Sequence, residues 1–170
     1  HSSISDSHFA YAKWNNPSTL SEHFPKTFFL WDVESKEMVS KNFSDDNTSP
    51  IITITGNKYL LGQIKTRENL KLKSDPRNIL ICLQGIWIPE FLESFILEDK
   101  FYKWYIRLHP RYPHDKVKLD NLLMQKTSGV FYEEANNIDL YKLFEKVSIV
   151  MTSFSGVALE AESFNKKVII

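Results

Sequence analysis

Arg107 and His109 stand two positions apart, where the apolar run WYIRL (104–108) meets Pro110. This pair suits an oxyanion. A guanidinium grips phosphate or carboxylate oxygens through its planar fork, and an imidazole donates to a phosphate or ionises beside one. The same residues also suit a plain turn, with the arginine on the solvent side of a strand and the histidine in the bend. A second polar group, Thr152-Ser153-Phe154-Ser155-Gly156, follows the apolar run SIVM (148–151). A helix starting there presents open N–H groups and the positive end of its dipole to an anion. Ser153 and Ser155 add hydroxyls, and Gly156 lets a ligand approach the backbone. Alternatively, Ser155 is an ordinary N-cap and Gly156 a packing glycine. Gln84-Gly85 offers an amide after the run ILICL (79–83). Glu133-Glu134 reads as a solvated turn or a ribose-binding carboxylate pair. Glu160 is either a surface charge or a group reaching back to a ribose.

These groups act together only if the chain delivers them to one rim. Ile79–Leu83 is a continuous apolar strand. A helix follows from about Pro89, which is tolerated in a first turn, with Phe91, Leu92, Phe95 and Ile96 at helical spacing. Trp104–Leu108 is a second strand, stopped by Pro110. Asp115 suits the cap of a helix carrying Val117, Leu119, Leu122 and Leu123. Gly129–Tyr132 reads as a short third strand, and Leu140, Leu143, Phe144 and Val147 as a helical stripe. Ser148–Met151 is a fourth strand, a Ser155-capped helix carries Val157, Leu159, Ala161 and Phe164, and Lys167–Ile170 begins a fifth strand. Apolar strands alternating with amphipathic helices predict an α/β fold with a Rossmann-like, doubly wound parallel sheet. Such sheets bind ligands at the carboxyl ends of their strands. Gln84-Gly85, Arg107 with His109 and Pro110, Glu133-Glu134, and Thr152–Gly156 would then share one rim.

Upstream the pattern is less regular. Residues 1–50 are broken by Pro17, Pro25, Pro50 and the polar run SKNFSDDNTS (40–49). Within them Lys26–Val33 reads as a strand and Ser35–Met38 as the start of a helical turn or a loop. Ile51–Thr55 is a β-branched strand closed by Gly56-Asn57. Leu60–Leu70 suits a short helix, and Lys71–Arg77, with Asp75-Pro76, reads as a linker.

Composition removes several classes. With 170 residues and 42% hydrophobic content the chain can bury a core and is not disordered. Lys+Arg and Asp+Glu are both 21, a formal net charge of +0, which argues against a nucleic-acid binder. The single cysteine, Cys82, cannot form an intramolecular disulfide and belongs to no zinc spacing. It reads as a small buried residue in a reducing, cytosolic setting. No stretch approaches the ~18 apolar residues of a membrane span, and no signal peptide is visible. There is no GxGxxG after the first strand, no P-loop, no nucleophile elbow and no HExxH. Asp45-Asp46 reads as a solvated pair. His1, Asp6, His8 and Tyr11 hold zinc-ligating or catalytic residue types, but without a spacing that demands it they read as a loop. The chain opens at His1 and closes inside an apolar run, which reads as a piece of a longer protein.

Taken together, IRLHP (106–110) and YKLFEKVSIVMTSFSGVALEAESFNKKVII (141–170) resemble the donor-binding half of GT-B glycosyltransferases. The likeness is greatest to bacterial enzymes that build surface polysaccharide, capsule or lipopolysaccharide, including sialyl- and polysialyltransferase-like proteins. Ile51–Asn57 is similar to the strand-turn before that half, and HSSISDSHFAY (1–11) to a segment near the end of some acceptor domains, although Ser2 stands where a glycine is expected. The resemblance implies that residues 1–50 end an N-terminal acceptor domain and that 51–170 form the nucleotide-sugar-binding domain. It implies a nucleotide-sugar donor and a glycan acceptor as partners, no metal or other cofactor, and a catalytic base on the acceptor domain. The full-length protein would be cytoplasmic, with peripheral association to the inner membrane. By the same resemblance His109, Pro110, Thr152, Ser153, Ser155 and Gly156, supported by Arg107, bind donor phosphate. Gln84 and Gly85 line the cleft, and Glu160 binds ribose. Glycerol-phosphate transferases and sugar-nucleotide 2-epimerases of the same fold carry similar serine-rich strand exits, and a non-catalytic nucleotide-binding or interaction module stays open beside them.

Overall fold

The computed structural model describes residues 25–42, 50–68, 74–85, 88–112, 115–125, 128–153 and 155–170. His1, Asp6, His8, Tyr11, Asp45, Asp46 and Phe154, all weighed above, lie outside the described residues. The chain divides into two compact units, His1–Gly62 and Gln63–Ile170.

In the first unit, β1 (Thr27–Leu30) and β2 (Ile51–Ile54) pair in parallel, joined through α1 (Val33–Asn42). The strand over 51–54 therefore pairs with β1 in a two-stranded sheet of its own. Phe28, Leu30 and Val39 are buried together, with Ile52 packed against them. Where the sequence suggests a helical turn or loop at Ser35–Met38, a ten-residue helix forms. Asp32 starts it by accepting from the Ser35 N–H at 2.6 Å. Gly56, at φ 65°, turns the chain after β2. Asn57 then caps α2 (Lys58–Glu68), which runs across the division between the units.

The second unit is α/β and Rossmann-like. Its strands are β3 (Asn78–Cys82), β4 (Lys103–Arg107), β5 (Val130–Phe131), β6 (Ile149–Thr152) and β7 (Lys167–Ile169). Its remaining helices are α3 (Glu90–Glu98), α4 (Lys116–Gln125), α5 (Tyr132–Asn137), α6 (Leu140–Lys146) and α7 (Gly156–Ser163). The five strands are all parallel, in the order β5-β4-β3-β6-β7. All of β3 is buried, as expected of a central strand covered on both faces. One face carries Ile79, Ile81, Trp104 and Ile106, packed against Ile96 of α3 and Leu119 and Leu122 of α4. Alternation turns Leu80, Cys82 and Val150 to the other face; Leu143 and Phe144 of α6 and Ala158 and Ala161 of α7 are buried as well.

The third strand is shorter than the sequence suggests. It stops at Phe131, and Tyr132 opens α5. Glu133 and Glu134 therefore lie in the first turn of a helix, not at a strand exit, and Glu134 is paired with Lys146 at 2.6 Å. Carboxylates in a first turn complement the helix dipole, which accounts for their placement.

Candidate functional site

The strand order reverses direction between β3 and β6, since chain growth runs from β3 through β4 to β5 and then resumes on the far side of β3. In open parallel sheets the crevice at such a switch point, outside the carboxyl ends of the strands, is where ligands sit. Register places Arg107, Cys82 and Thr152 side by side as the last paired residues of β4, β3 and β6. The Thr152 hydroxyl donates to the Cys82 carbonyl at 3.2 Å, and the Leu83 N–H to the Arg107 carbonyl at 2.9 Å. Beyond this seam the chain splays into the segments that carry the polar groups.

After β3 come Gln84 and Gly85, both half-buried, with Gly85 at φ 80°. A side chain there would strain the turn, so the glycine is required by the backbone. After β6, Ser155 is the N-cap of α7. Its Oγ accepts from the Val157 N–H at 3.2 Å, so its capping role is realised. The hydroxyl of Ser153 has no hydrogen-bond partner among the described residues. Gly156 is the first helical residue, and its N–H lies at the positive end of the helix dipole.

After β4 the exit is tightly organised. His109 Nδ1 accepts the Arg111 N–H at 3.1 Å, and the imidazole stacks on Tyr112 at 4.8 Å between centroids. The neutral ring therefore carries its proton on Nε2, which remains a donor. Pro110 is exposed in the bend. Arg107 does something else. Its Nη1 donates to the carbonyls of Ala135 and Ile138, at 2.7 Å each, and so holds the C-terminal end of α5. The nearby guanidinium with no ion pair or side-chain hydrogen bond among the described residues belongs to Arg111. Arg111 is a second arginine directly after His-Pro, and that placement is its one signal in the sequence.

Glu160, on α7, is half-buried. Burial raises its carboxyl above the usual range, while a hydrogen bond from the Tyr141 hydroxyl pulls the other way. It is thus engaged with α6. Burial likewise pushes the Cys82 thiol up to about 12, which leaves it protonated and unreactive. Among the described residues no cluster of three His, Cys, Asp or Glu could hold a metal ion, and no helix is long and apolar enough to cross a membrane.

The structure thus brings Gln84, Gly85, Thr152, Ser153, Ser155 and Gly156 to the ends of the two strands flanking the switch point. His109 and Pro110 follow the next strand over. At the usual strand spacing the exits of β4 and β6 lie about 10 Å apart. Arg107 and Glu160 are turned into the scaffold.

No protein-family model matches the chain, and no curated protein matches it. Solved structures of the wall teichoic acid polymerase TagF do. A TagF variant with CDPG (15 minute soak) superposes with a TM-score of 0.51 at 14% identity, over 93% of this chain and 42% of that one. A second TagF variant gives 0.49 at 17% identity, over 87% and 39%. The chain thus spans about two fifths of the length of those structures. The likeness supports a GT-B glycosyltransferase-like fold and bears on the fold alone.

Proposed function

We propose that this chain is the donor-binding part of a transferase that moves a group from a nucleotide-activated donor to a hydroxyl acceptor in surface-polymer synthesis. The observation that carries the reading is the rim at the switch point. There a capped helix start and an unpartnered Ser153 hydroxyl follow β6, and the Nε2–H of His109, its ring held by the Arg111 N–H and Tyr112, follows β4 on the same end of the sheet. Donors fixed in advance suit charge that grows on a departing phosphate, because nothing has to reorganise as the bond breaks. The acceptor hydroxyl attacks the activated carbon or phosphorus, its proton passes to a base, and the nucleotide leaves with the bonding pair. The base is expected on an acceptor domain.

Two donor classes fit. A nucleotide sugar accords with the sequence resemblance, sialyl donors included. A glycerol-phosphate donor accords with the fold likeness to TagF, for which CDPG is the named soak. CDP, UDP and CMP separate them by calorimetry and NMR shift mapping on the full chain. At least one should bind and shift Ser153, Ser155 and His109, with UDP pointing to a hexose donor, tighter binding of CDP than of CMP to a glycerol-phosphate donor, and binding of CMP at least as tight as of CDP to a sialyl donor. His109→Ala should weaken that nucleotide about tenfold or more without unfolding the protein. Binding of none of the three, or equal binding by the His109→Ala variant, overturns the reading.

A further inference from the structure

Strand β5 ends at Phe131, whereas β4 runs on to Arg107. The last ladder partner of β4 on that side is Phe131, opposite Tyr105. Beyond it, the Ile106 carbonyl and the Leu108 N–H face the same side, because alternate residues of a strand direct their backbone groups to the same neighbour. Asn136, on α5, takes both. Its Nδ2 donates to the Ile106 carbonyl at 2.9 Å, and its Oδ1 accepts from the Leu108 N–H at 2.9 Å.

A residue of a neighbouring parallel strand would make the same two bonds through its own N–H and C=O. The carboxamide has the same planar donor and acceptor, so Asn136 stands in for the residue that β5 lacks. The second Nδ2 hydrogen goes to the Tyr132 carbonyl at 2.8 Å. With two carbonyls on the nitrogen side and an N–H on the oxygen side, only one orientation of the amide is satisfied. Arg107 ties down the support, since Ala135 and Ile138, whose carbonyls it holds, flank Asn136.

Leu108 immediately precedes His109. We propose that Asn136 is a positioning residue for His109: its carboxamide prolongs the ladder of β4 past the end of β5 and thereby fixes the backbone that aims the imidazole at the rim. What His109 then binds rests on the reading above; the positioning itself does not.

The test uses the full chain labelled with ¹⁵N, as wild type, Asn136→Ala, Asn136→Asp and Ile96→Val. The last trims a buried residue of α3 on the other face of the sheet and reports what mild destabilisation alone does. In the wild type His109 should show a single Nε2–H tautomer and the Leu108 amide should be protected. Asn136→Ala should speed Leu108 exchange about tenfold or more, mix the His109 tautomers, and weaken CDP about tenfold where the wild type binds it. Asn136→Asp keeps the acceptor for Leu108 but loses the donor to Ile106, so it falls between the two and supplies the answer if the alanine variant does not fold. Ile96→Val should leave the His109 signals in place. Wild-type imidazole shifts and Leu108 protection in both Asn136 variants overturn the proposal. If the wild type binds none of CDP, UDP and CMP while Asn136→Ala still frees the ring, the nucleotide reading fails and the positioning role stands. If both bind equally with the ring unmoved, the positioning role fails and the nucleotide reading stands.

Discussion

The two edges of the five-stranded sheet are finished in opposite ways. Where the strands begin, polar groups close on one another. Asp75 takes Arg77 at 3.1 Å and Lys103 at 3.6 Å. The hydroxyls of Ser74 and Ser148 meet at 2.8 Å, Ser148 donates to the Asp75 carbonyl at 3.0 Å, and the half-buried Lys166 ammonium reaches Ser74 at 3.5 Å. Where the strands end, the Nε2–H of His109, the Ser153 hydroxyl and the Arg111 guanidinium have no such partner among the described residues. Both edges are rich in charge and hydroxyls, so residue type does not separate them. Protein partners do: apart from the buried Asn78 Oδ1, which has none among the described residues, the groups named at the first edge pair with one another, whereas the donors named at the second are left to solvent or to the proposed ligand.

Arg107 tests this contrast most sharply, because it sits at the open edge but is bonded inward. Arg107→Ala strips a charged donor from the Ala135 and Ile138 carbonyls. It should cost about 2–3 kcal/mol in urea unfolding. A variant of unchanged stability that binds CDP less well would move Arg107 to the ligand side. The next largest effect is expected at Ser155. Ser155→Ala removes the bond to the Val157 N–H and should cost about 1 kcal/mol. Ser155→Asp keeps a cap and so keeps stability, but its charge should repel a phosphate; undiminished nucleotide binding by that variant would place the anion elsewhere.

The smallest effect belongs to the closed edge. Hydrogen bonds from the Arg77 side chain and backbone hold the Asp75 carboxyl at about 2, below the ordinary 3.8. A carboxyl lowered by folding stabilises the protein while ionised. That contribution is therefore present above about pH 4 and is lost as the pH falls toward about 2. Asp75→Asn should flatten this acid limb of the stability curve and leave nucleotide binding untouched. A binding change there would erase the distinction between the edges.

Much of the scaffold was legible in the sequence because its signals are local. The runs at β3, β4 and β6 are continuous and apolar, Pro89 stands directly before α3, and Ser155 caps α7 as its residue type suggests. What stayed hidden depends on distant contacts. The six residues of α5 are too few for a helical period to show, so Glu133 and Glu134 looked like a strand exit. Arg107 could not be assigned from sequence, because the same fork of donors suits a phosphate or a pair of backbone carbonyls. Asn136 gave no signal at all, since its partners Ile106 and Leu108 lie 30 and 28 residues away.

The brevity of β5 has one more consequence. An exposed edge strand is a template on which another chain can grow a sheet, and short edge strands are one way proteins prevent this. Here the outermost strand on that side is two residues long, and the backbone of β4 beyond it is already occupied by a side chain. An incoming strand would find almost no run of open amides to read, so the arrangement that steadies the His109 exit also protects this side of the sheet from self-association.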